Sequence, residues 1–546
     1  MFHNLFKIID RILGYFAVNS KMALYAILFA GFLYFMINSK TAYHEPRKFF
    51  KKFSLLISIL FVLFFVFISK DILAAVMFCI IFIYTVFYFP TGGKKRYKEN
   101  KTSKAKNDDV VLILGGISWK LREFCRGWIV TGDTGSGKTS GFYINLLHQL
   151  FKNTPKWGGL TVDAKGSFYK DVEGVAKNYS KGNKIIVIGP GRNSTHKFNL
   201  LSYSKIPWSR YADIIVNVAA PGTAEGGSGS GGHFKVRIKN VLIHTMELLD
   251  LIYKHDGRGE KITIVKVRNF INISVVQEII KNLPDDIKDT EAAKYFKNDF
   301  LYHADKGGDE FQSFLTTLSN YLSPYLNKDI AEIFCSEEAT FDFSDIDDGK
   351  IICVSIPSIY SERDHVNTFM KELFYYHTQL REELKKEELK EKNLLLFIAD
   401  EAQSIVTKSE GMDDSKVIDK IRSSKSTVVF ASQSTTSYLD KLGQFKTETL
   451  LLNLANKVYF RQPDERGAKM AESDLGKSEE FEKQSYGYSN RKANVTYSKK
   501  EKGEHRYYDL RKLPDFVCVV KHSSKYTTRE IKLNPLDYNG KVLKFD

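Results

Sequence analysis

The chain has only five cysteines in 546 residues, and Cys79, Cys125, Cys335, Cys353 and Cys518 stand far apart. No CxxC pair occurs and no histidine sits beside them at metal-ligand spacing, which argues against a disulfide framework and a zinc site. The pattern is that of reduced, buried thiols in a domain facing the cytosol. None of the twelve histidines belongs to an HExxH motif, so no metal chemistry is expected beyond a nucleotide's magnesium. Acidic residues are also short. Against 80 Lys and Arg stand 64 Asp and Glu, a net charge of +16. That excess suits an anionic partner such as nucleic acid or anionic lipid, and equally suits a merely lysine-rich surface.

Charge is nearly absent from three apolar runs near the start, residues 22–37, 54–69 and 72–89. A helix crossing a hydrocarbon core needs about 20 residues, with about 17 at the low end. The third run meets this, and the first two do so only with help from their flanks. Lys70 and Asp71 alone separate the second run from the third, which reads as a hairpin of spans. No small-residue cleavage site marks a signal peptide. Lys94, Lys95, Arg96 and Lys98 after the third run, with Arg47, Lys48, Lys51 and Lys52 before the second, belong on the cytoplasmic side. The expectation is a membrane anchor of two to three spans over residues 1–93 and a basic linker over 94–109. The protein is then a multi-pass protein of the cytoplasmic (inner) membrane with its large C-terminal part in the cytoplasm. The side of the N-terminus stays open, because residues 5–18 also read as an interfacial helix.

The run Trp128-Ile-Val-Thr-Gly132-Asp133-Thr134-Gly135-Ser136-Gly137-Lys138-Thr139 fits GxxxxGK[ST]. Its glycines let backbone N–H groups curl around phosphates without interference from a Cβ. Lys138 is placed to reach the terminal phosphates of ATP, and the Thr139 hydroxyl to ligate Mg2+. A helix starting near Lys138, with Ser140 in its first turn, points its positive end at the same phosphates. An apolar strand precedes the motif, and apolar residues at Tyr143, Leu146, Leu147 and Leu150 give the helix that should follow.

Far downstream, Leu394 to Ala399 is a buried strand ending in Asp400 and Glu401. Asp400 suits the magnesium's water shell, and Glu401 suits orienting or deprotonating an attacking water. Further apolar runs at 160–162, 184–188, 351–356, 427–431 and 457–460, with helices between them, describe a parallel α/β sheet. Helical patterns at 236–251, 275–280 and 311–326 read as an inserted helical region. The glycine-rich run 222–232 lacks a GK[ST] ending and is expected to be a loop.

These motifs together resemble the type IV coupling proteins, the TraG/TraD-like ATPases of conjugation and type IV secretion. Asp163-Ala164-Lys165-Gly166 resembles the family's DPKG segment, and His196-Lys197-Phe198-Asn199-Leu200-Leu201 its FNPL element, each without the proline. Asp400-Glu401 is followed by Arg422, and then by Gln433 eleven residues later, as in the family. The resemblance implies a RecA-like P-loop NTPase core over 110–207 and 326–546, with an all-α domain inserted over 208–325. It implies a homo-hexamer around a channel, with Arg422 acting on a neighbour's ATP and Gln433 sensing the γ-phosphate; Arg461 competes for that sensing role. The implied partners are the type IV secretion channel components and a relaxosome or other substrate complex. No aromatic–basic reading motif appears along the chain, so DNA contact is expected to be nonspecific and to a single strand.

The function this implies is an ATPase that recruits DNA or nucleoprotein and helps move it into a type IV secretion channel. An FtsK-like DNA translocase and a docking receptor for protein effectors are the alternatives. A winged-helix module would favour the former, and residues 501–546 are too few and too strand-rich for one. The complete set of Gly137, Lys138, Thr139, Asp400 and Glu401 argues against a receptor that has lost hydrolysis.

Overall fold

The computed structural model describes residues 110–191, 196–219, 231–257, 259–408, 413–489, 492–503, 505–525 and 528–544, with backbone only for 231–233 and 477–503. Its strands are β1 (Val110–Leu114), β2 (Ile117–Lys120), β3 (Trp128–Thr131), β4 (Gly158–Val162), β5 (Ile185–Ile188), β6 (Ile351–Val354) and β7 (Leu395–Ala399). They continue as β8 (Ser426–Ser432), β9 (Asn456–Tyr459), β10 (Lys477–Ser489), β11 (Lys492–Gly503), β12 (Val517–Lys521) and β13 (Thr528–Lys532). Nine of them form one sheet in the order β13-β12-β9-β3-β8-β7-β4-β6-β5. From β9 to β5 every pairing is parallel, and β12 and β13 add an antiparallel edge. The hairpins β1–β2 and β10–β11 pair only within themselves.

The strand sequences explain why this sheet is buried on both faces. A parallel sheet is covered by helices on each side, so its strands read as unbroken apolar runs. Successive residues still alternate between faces. Ile129, Leu395, Phe397, Val428 and Phe430 join one hydrophobic cluster, while Trp128, Val130, Leu396, Ile398 and Val429 join the other. The second cluster is completed by α1 (Ile144–Asn153) and α2 (Tyr169–Lys177), through residues such as Leu147, Leu150 and Val172.

Between β5 and β6 the described chain is helical, with α3 (Trp208–Ala219), α4 (Gly231–Asp256), α5 (Ile264–Phe270), α6 (Ile273–Lys281) and α7 (Asp309–Leu322) as its longer elements. Their Ile214, Leu242, Val267 and Phe314 belong to the same cluster as β7 and β8. The first face is finished by α8 (Arg363–Leu380), α9 (Asp414–Ile421) and α10 (Leu439–Asn453), and α11 (Glu465–Leu475) follows β9. The helical pattern expected to reach residue 326 stops at Leu322, because Pro324 tightens Ser323–Tyr325 into a 3-10 turn. Most of the glycine-rich run lies outside the described residues, and its last two glycines open α4.

The expected anchor over 1–93 and the linker over 94–109 lie outside the described residues. Among the described residues no helix is long and apolar enough to cross a membrane. The longest, α4, carries Lys235, Arg237, Lys239, Glu247, Asp250 and Lys254 within its 26 residues, and a span needs about 20 mostly apolar ones. The expected multi-pass placement in the cytoplasmic membrane is corrected on that finding.

One polar knot sits inside the apolar layer. Lys371 on α8 and Asp414 at the start of α9 are both fully buried, with Lys371 Nζ 2.6 Å from Asp414 Oδ2. The amine also lies 3.2 Å from Glu372 Oε1 and donates to Thr407 Oγ1 at 3.0 Å. Asp414 in turn accepts the Thr407 backbone N–H at 2.6 Å and the Tyr375 hydroxyl. Burial raises the Glu372 carboxyl to about 7 despite the lysine beside it. Removing one partner strands the others without water, which typically costs about 3–5 kcal/mol. Lys371→Met is therefore expected to lower Tm by several degrees, and adding Asp414→Asn should recover part of the loss in the same thermal melts. A single variant as stable as the wild type would show the knot to be energetically neutral.

Candidate functional site

Because the seven parallel strands run one way, the loops after β3, β4, β7, β8 and β9 gather along one edge of the sheet. Open α/β sheets bind their ligands at that edge. Parallel pairing of β3 with β8 sets Thr131 opposite Ser432, and pairing of β3 with β9 sets it opposite Tyr459. The Gly132 N–H then donates to the Gln433 carbonyl at 3.1 Å, and the Asp133 N–H to the Arg461 carbonyl at 2.7 Å. The glycine-rich loop is thus fastened to both neighbouring strands.

The loop is closely held from above as well. A Cβ at Gly132 would fall 2.5 Å from Phe460 Cβ. Gly137 has φ of 109°, and a Cβ there would meet Phe516 Cδ1 at 2.6 Å, so this position needs glycine twice over. Phe516, itself at φ 64°, donates its N–H to the Ser136 carbonyl at 2.9 Å, and Leu536 donates to Ser140 at 3.1 Å. The segment around β12 and β13 therefore braces the loop, a contact invisible in the motif. The helix expected near Lys138 begins as a π-helical turn, Lys138–Tyr143, before settling into α1. Such widened turns recur at functional sites.

Lys138 Nζ lies 2.6 Å from the Gly132 carbonyl and 3.2 Å from that of Asp133. Across from it, the Asp400 N–H donates to the Val162 carbonyl at 3.1 Å. Glu401 adopts φ 55°, ψ 47°, a strained conformation for a non-glycine residue. Its carboxylate accepts from Gln403 Nε2 at 2.6 Å and from Gln433 Nε2 at 3.4 Å. Thr134, Gly135 and Thr139 are exposed along this edge. The buried Asp163 carboxylate accepts the Ser167 and Phe168 N–H groups at 2.9 and 3.3 Å, which holds the turn carrying Lys165.

Electrostatically the site is a half-buried lysine facing carboxylates. Burial lowers the Lys138 amine, while Asp400, Glu401 and Asp133 pull it back up and Lys165 pushes it down. Burial and then the neighbouring Glu401 raise Asp400 to about 6, against the opposing pull of Lys138. No group of three or more His, Cys, Asp or Glu able to hold a metal occurs among the described residues. A hydroxyl and one carboxylate suit Mg2+, which keeps several waters and takes its remaining oxygens from a substrate phosphate.

The residues expected at the site are not all brought together. Lys138, Asp400, Glu401 and Gln433 converge. Arg461 lies beside the loop, with Nε 3.6 Å from Asp133 Oδ2 and Nη1 2.8 Å from Asp515 Oδ1. Arg422 is elsewhere. It precedes β8, near the thiol of Cys125 before β3, whereas Gln433 follows β8. A seven-residue strand separates them, roughly 20 Å at about 3.3 Å per residue. Sequence reading gave no role to Lys165, Gln403 and Phe516. Lys165, within the DPKG-like segment, and Gln403, two residues beyond the acidic pair, left local signals, and Phe516 left none.

A family model described as type IV secretory system conjugative DNA transfer matches residues 91–506. A search of curated proteins found no match. Among solved structures, the bacterial conjugative coupling protein TrwBdeltaN70 in complex with sulphate is similar at a TM-score of 0.59 and 16% identity, covering 80% of this chain and 91% of that one. The plasmid coupling protein TrwB in complex with a non-hydrolysable ATP analogue, ADPNP, gives 0.57 and 15% identity over 80% and 92%. TrwB in complex with ADP and Mg2+ gives 0.58 and 16% over the same shares. At such identity the likeness shows the fold, an α/β fold similar to the RecA-like NTPase of TrwB.

The raised Asp400 carboxyl makes a signed prediction. An acid whose folded pKa, about 6, exceeds its unfolded value binds more protons when folded, so this group favours the folded state less as pH rises from about 4 to 6. Asp400→Asn should therefore raise the Tm of the nucleotide-free protein at pH 8 and change it little at pH 4.5. A variant no more stable than the wild type at pH 8 would refute this account of the carboxyl.

Proposed function

The chain belongs to the family of type IV secretory system conjugative DNA-transfer proteins, and from that premise we propose that it is an ATP-hydrolysing coupling protein of such a system. ATP with Mg2+ is taken as its fuel, in keeping with the nucleotides named for the TrwB structures. The observation that carries the reading is the convergence of Lys138, Asp400, Glu401 and Gln433 on one sheet edge, with Arg422 at the other.

In this reading the loop from Gly132 to Ser140 cradles the phosphates, using N–H groups beyond the two of Gly132 and Asp133 that fasten it to the neighbouring strands, and Lys138 leaves the Gly132 and Asp133 carbonyls to pair with the terminal phosphates. Thr139 and Asp400 would hold the magnesium, which would supply neutralisation of the phosphate charge. Glu401, positioned by Gln403, orients and deprotonates the attacking water. Gln433 reports the γ-phosphate to that same carboxylate. Arg422 cannot reach its own site across the length of β8, which supports its acting on the ATP of a neighbouring subunit. A ring of six copies, each lending Arg422 to the next, is the assembly proposed. The core then comprises 110–207 and 326–546, and the helical region 208–325 receives the substrate complex, DNA held nonspecifically as a single strand, for delivery to the channel components.

Lys138→Ala should abolish ATP hydrolysis and plasmid transfer. Arg422→Ala should lower kcat by about 10³–10⁵ while nucleotide still binds. Mixing the two inactive proteins should restore part of the activity, because Arg422 of one can complete the intact loop of the other. An Arg422→Ala protein that hydrolyses like the wild type, or a mixture that recovers nothing, would overturn the shared site.

A further inference from the structure

The hairpin β10–β11 is long and, among the described residues, pairs with no other strand. Its 13- and 12-residue strands extend about 40 Å at roughly 3.4 Å per residue. From Lys483 to Lys500 the sequence contains no Asp or Glu, but it holds Lys483, Lys492, Lys499 and Lys500.

Register decides what shares a face. Along β10, Phe481 and Lys483 are odd-numbered and Tyr486 and Tyr488 even-numbered, so plain alternation would put the two pairs on opposite faces. The register shifts between Lys483 and Ser485, where β10 carries one extra residue. Beyond that bulge Tyr486 lies opposite Val495 and Tyr488 opposite Ala493, while before it Lys483 lies opposite Tyr497 and Phe481 opposite Lys499. Residues 493, 495, 497 and 499 of β11 alternate without interruption, so they share one face. That face therefore carries Tyr488, Tyr486, Tyr497 and Phe481 together with Lys483 and Lys499, and Glu479 opposite Glu501 continues it beyond the last pair. The other face carries Asn494, Ser485, Thr496, Glu482 and Ser498 with Lys492, Lys500 and Glu480, and no aromatic.

We infer that this face of the hairpin is a binding surface for single-stranded DNA, with bases stacked on the aromatic rings and phosphates drawn to the flanking lysines. The assignment rests on the DNA-transfer reading and goes beyond it by naming the contact surface. Charge complementarity selects the occupant: from the Phe481–Lys499 pair to the turn, this face holds four aromatics and two lysines and no acid, which suits a polyanion with flat apolar bases. A lone two-stranded ribbon is marginal in water, so a ligand laid along it also stabilises it.

The test is anisotropy of a fluorescein-labelled 40-nucleotide oligo(dT) with the full-length protein. Tyr486→Ala, Tyr488→Ala and Tyr497→Ala should each weaken binding about tenfold, and Tyr486→Phe should restore it. Lys483→Gln and Lys499→Gln should each flatten the slope of log Kd against log salt by about 0.7. Asn494→Ala and Thr496→Ala, on the other face, should bind as the wild type does. Independently of any variant, photocrosslinking to an iodouridine-bearing strand should label peptides within 481–499. Unchanged binding by the tyrosine variants, or crosslinks confined elsewhere, would overturn the hairpin surface and leave the DNA reading standing. A wild-type protein that binds no oligonucleotide at low salt would overturn both. A tyrosine variant that changes oligomeric state while binding DNA normally would reassign the face to a contact between copies.

Discussion

The parallel pairing of β3 with β8, and of β8 with β7, places Thr131 beside Ser432 and Ala399 beside Phe430, and every functional atom at the site takes its position from that register. A glycine-rich loop alone has no defined aim. Here its first N–H is fixed on the Gln433 carbonyl and its second on that of Arg461, because those strands end level with β3. The same arrangement puts the acidic pair one strand beyond β8, so that Gln433 stands between Lys138 and Glu401 and its amide reaches the Glu401 carboxylate. Slipping the register by one residue would turn each side chain to the opposite face. The fully buried strands make such a slip prohibitive, since the two hydrophobic clusters would exchange members.

Charge is then concentrated where the packing allows it. The site sets carboxylates at Asp400, Glu401 and Asp163 against Lys138, with Asp400 pushed up to about 6 by burial and its neighbour. Perturbed carboxyls of this kind cluster at functional sites. The second buried charge group, Lys371 with Glu372 and Asp414, lies in the helical layer and is hydrogen-bonded by Thr407 and Tyr375, with Glu372 Oε2 left without a partner among the described residues. It joins the segment after the acidic pair, through Thr407, to the start of the helix that ends at Arg422. Packing thus connects the segment after Asp400 and Glu401 with the helix that ends at Arg422 through one buried polar cluster.

Much of this was legible along the chain. GxxxxGK[ST] after an apolar strand identifies its own local structure, because glycine, lysine and threonine are each required by a neighbour in sequence. The strands β4, β6, β7, β8 and β9 were readable as apolar runs, since a parallel sheet covered on both faces leaves no polar alternation to confuse them. The expected end of the helix near residue 326 was displaced by Pro324, and the π-helical turn at Lys138 was not foreseen, because both depend on hydrogen bonding within one turn and leave the apolar period unchanged. The bracing by Phe516 left no signal, since it joins residues far apart in the chain. Arg422 was expected to act on a neighbour's ATP and Arg461 to compete with Gln433 for sensing the γ-phosphate. Arg461 flanks the C-terminal end of its strand and Arg422 the N-terminal end, and only a parallel sheet makes those opposite edges.

By itself the sequence determined the kind of chemistry and the class of fold, because a phosphate-binding loop, a strand-end acidic pair and buried apolar runs are local patterns with local causes. Tertiary structure alone decided which of those residues meet. Strand order put Gln433 between Lys138 and Glu401, strand direction sent Arg422 to the opposite edge, and one extra residue in β10 brought three tyrosines and a phenylalanine onto one face. Those outcomes are set by pairing between distant strands, and pairing register is an energy of the assembled sheet that no single segment carries.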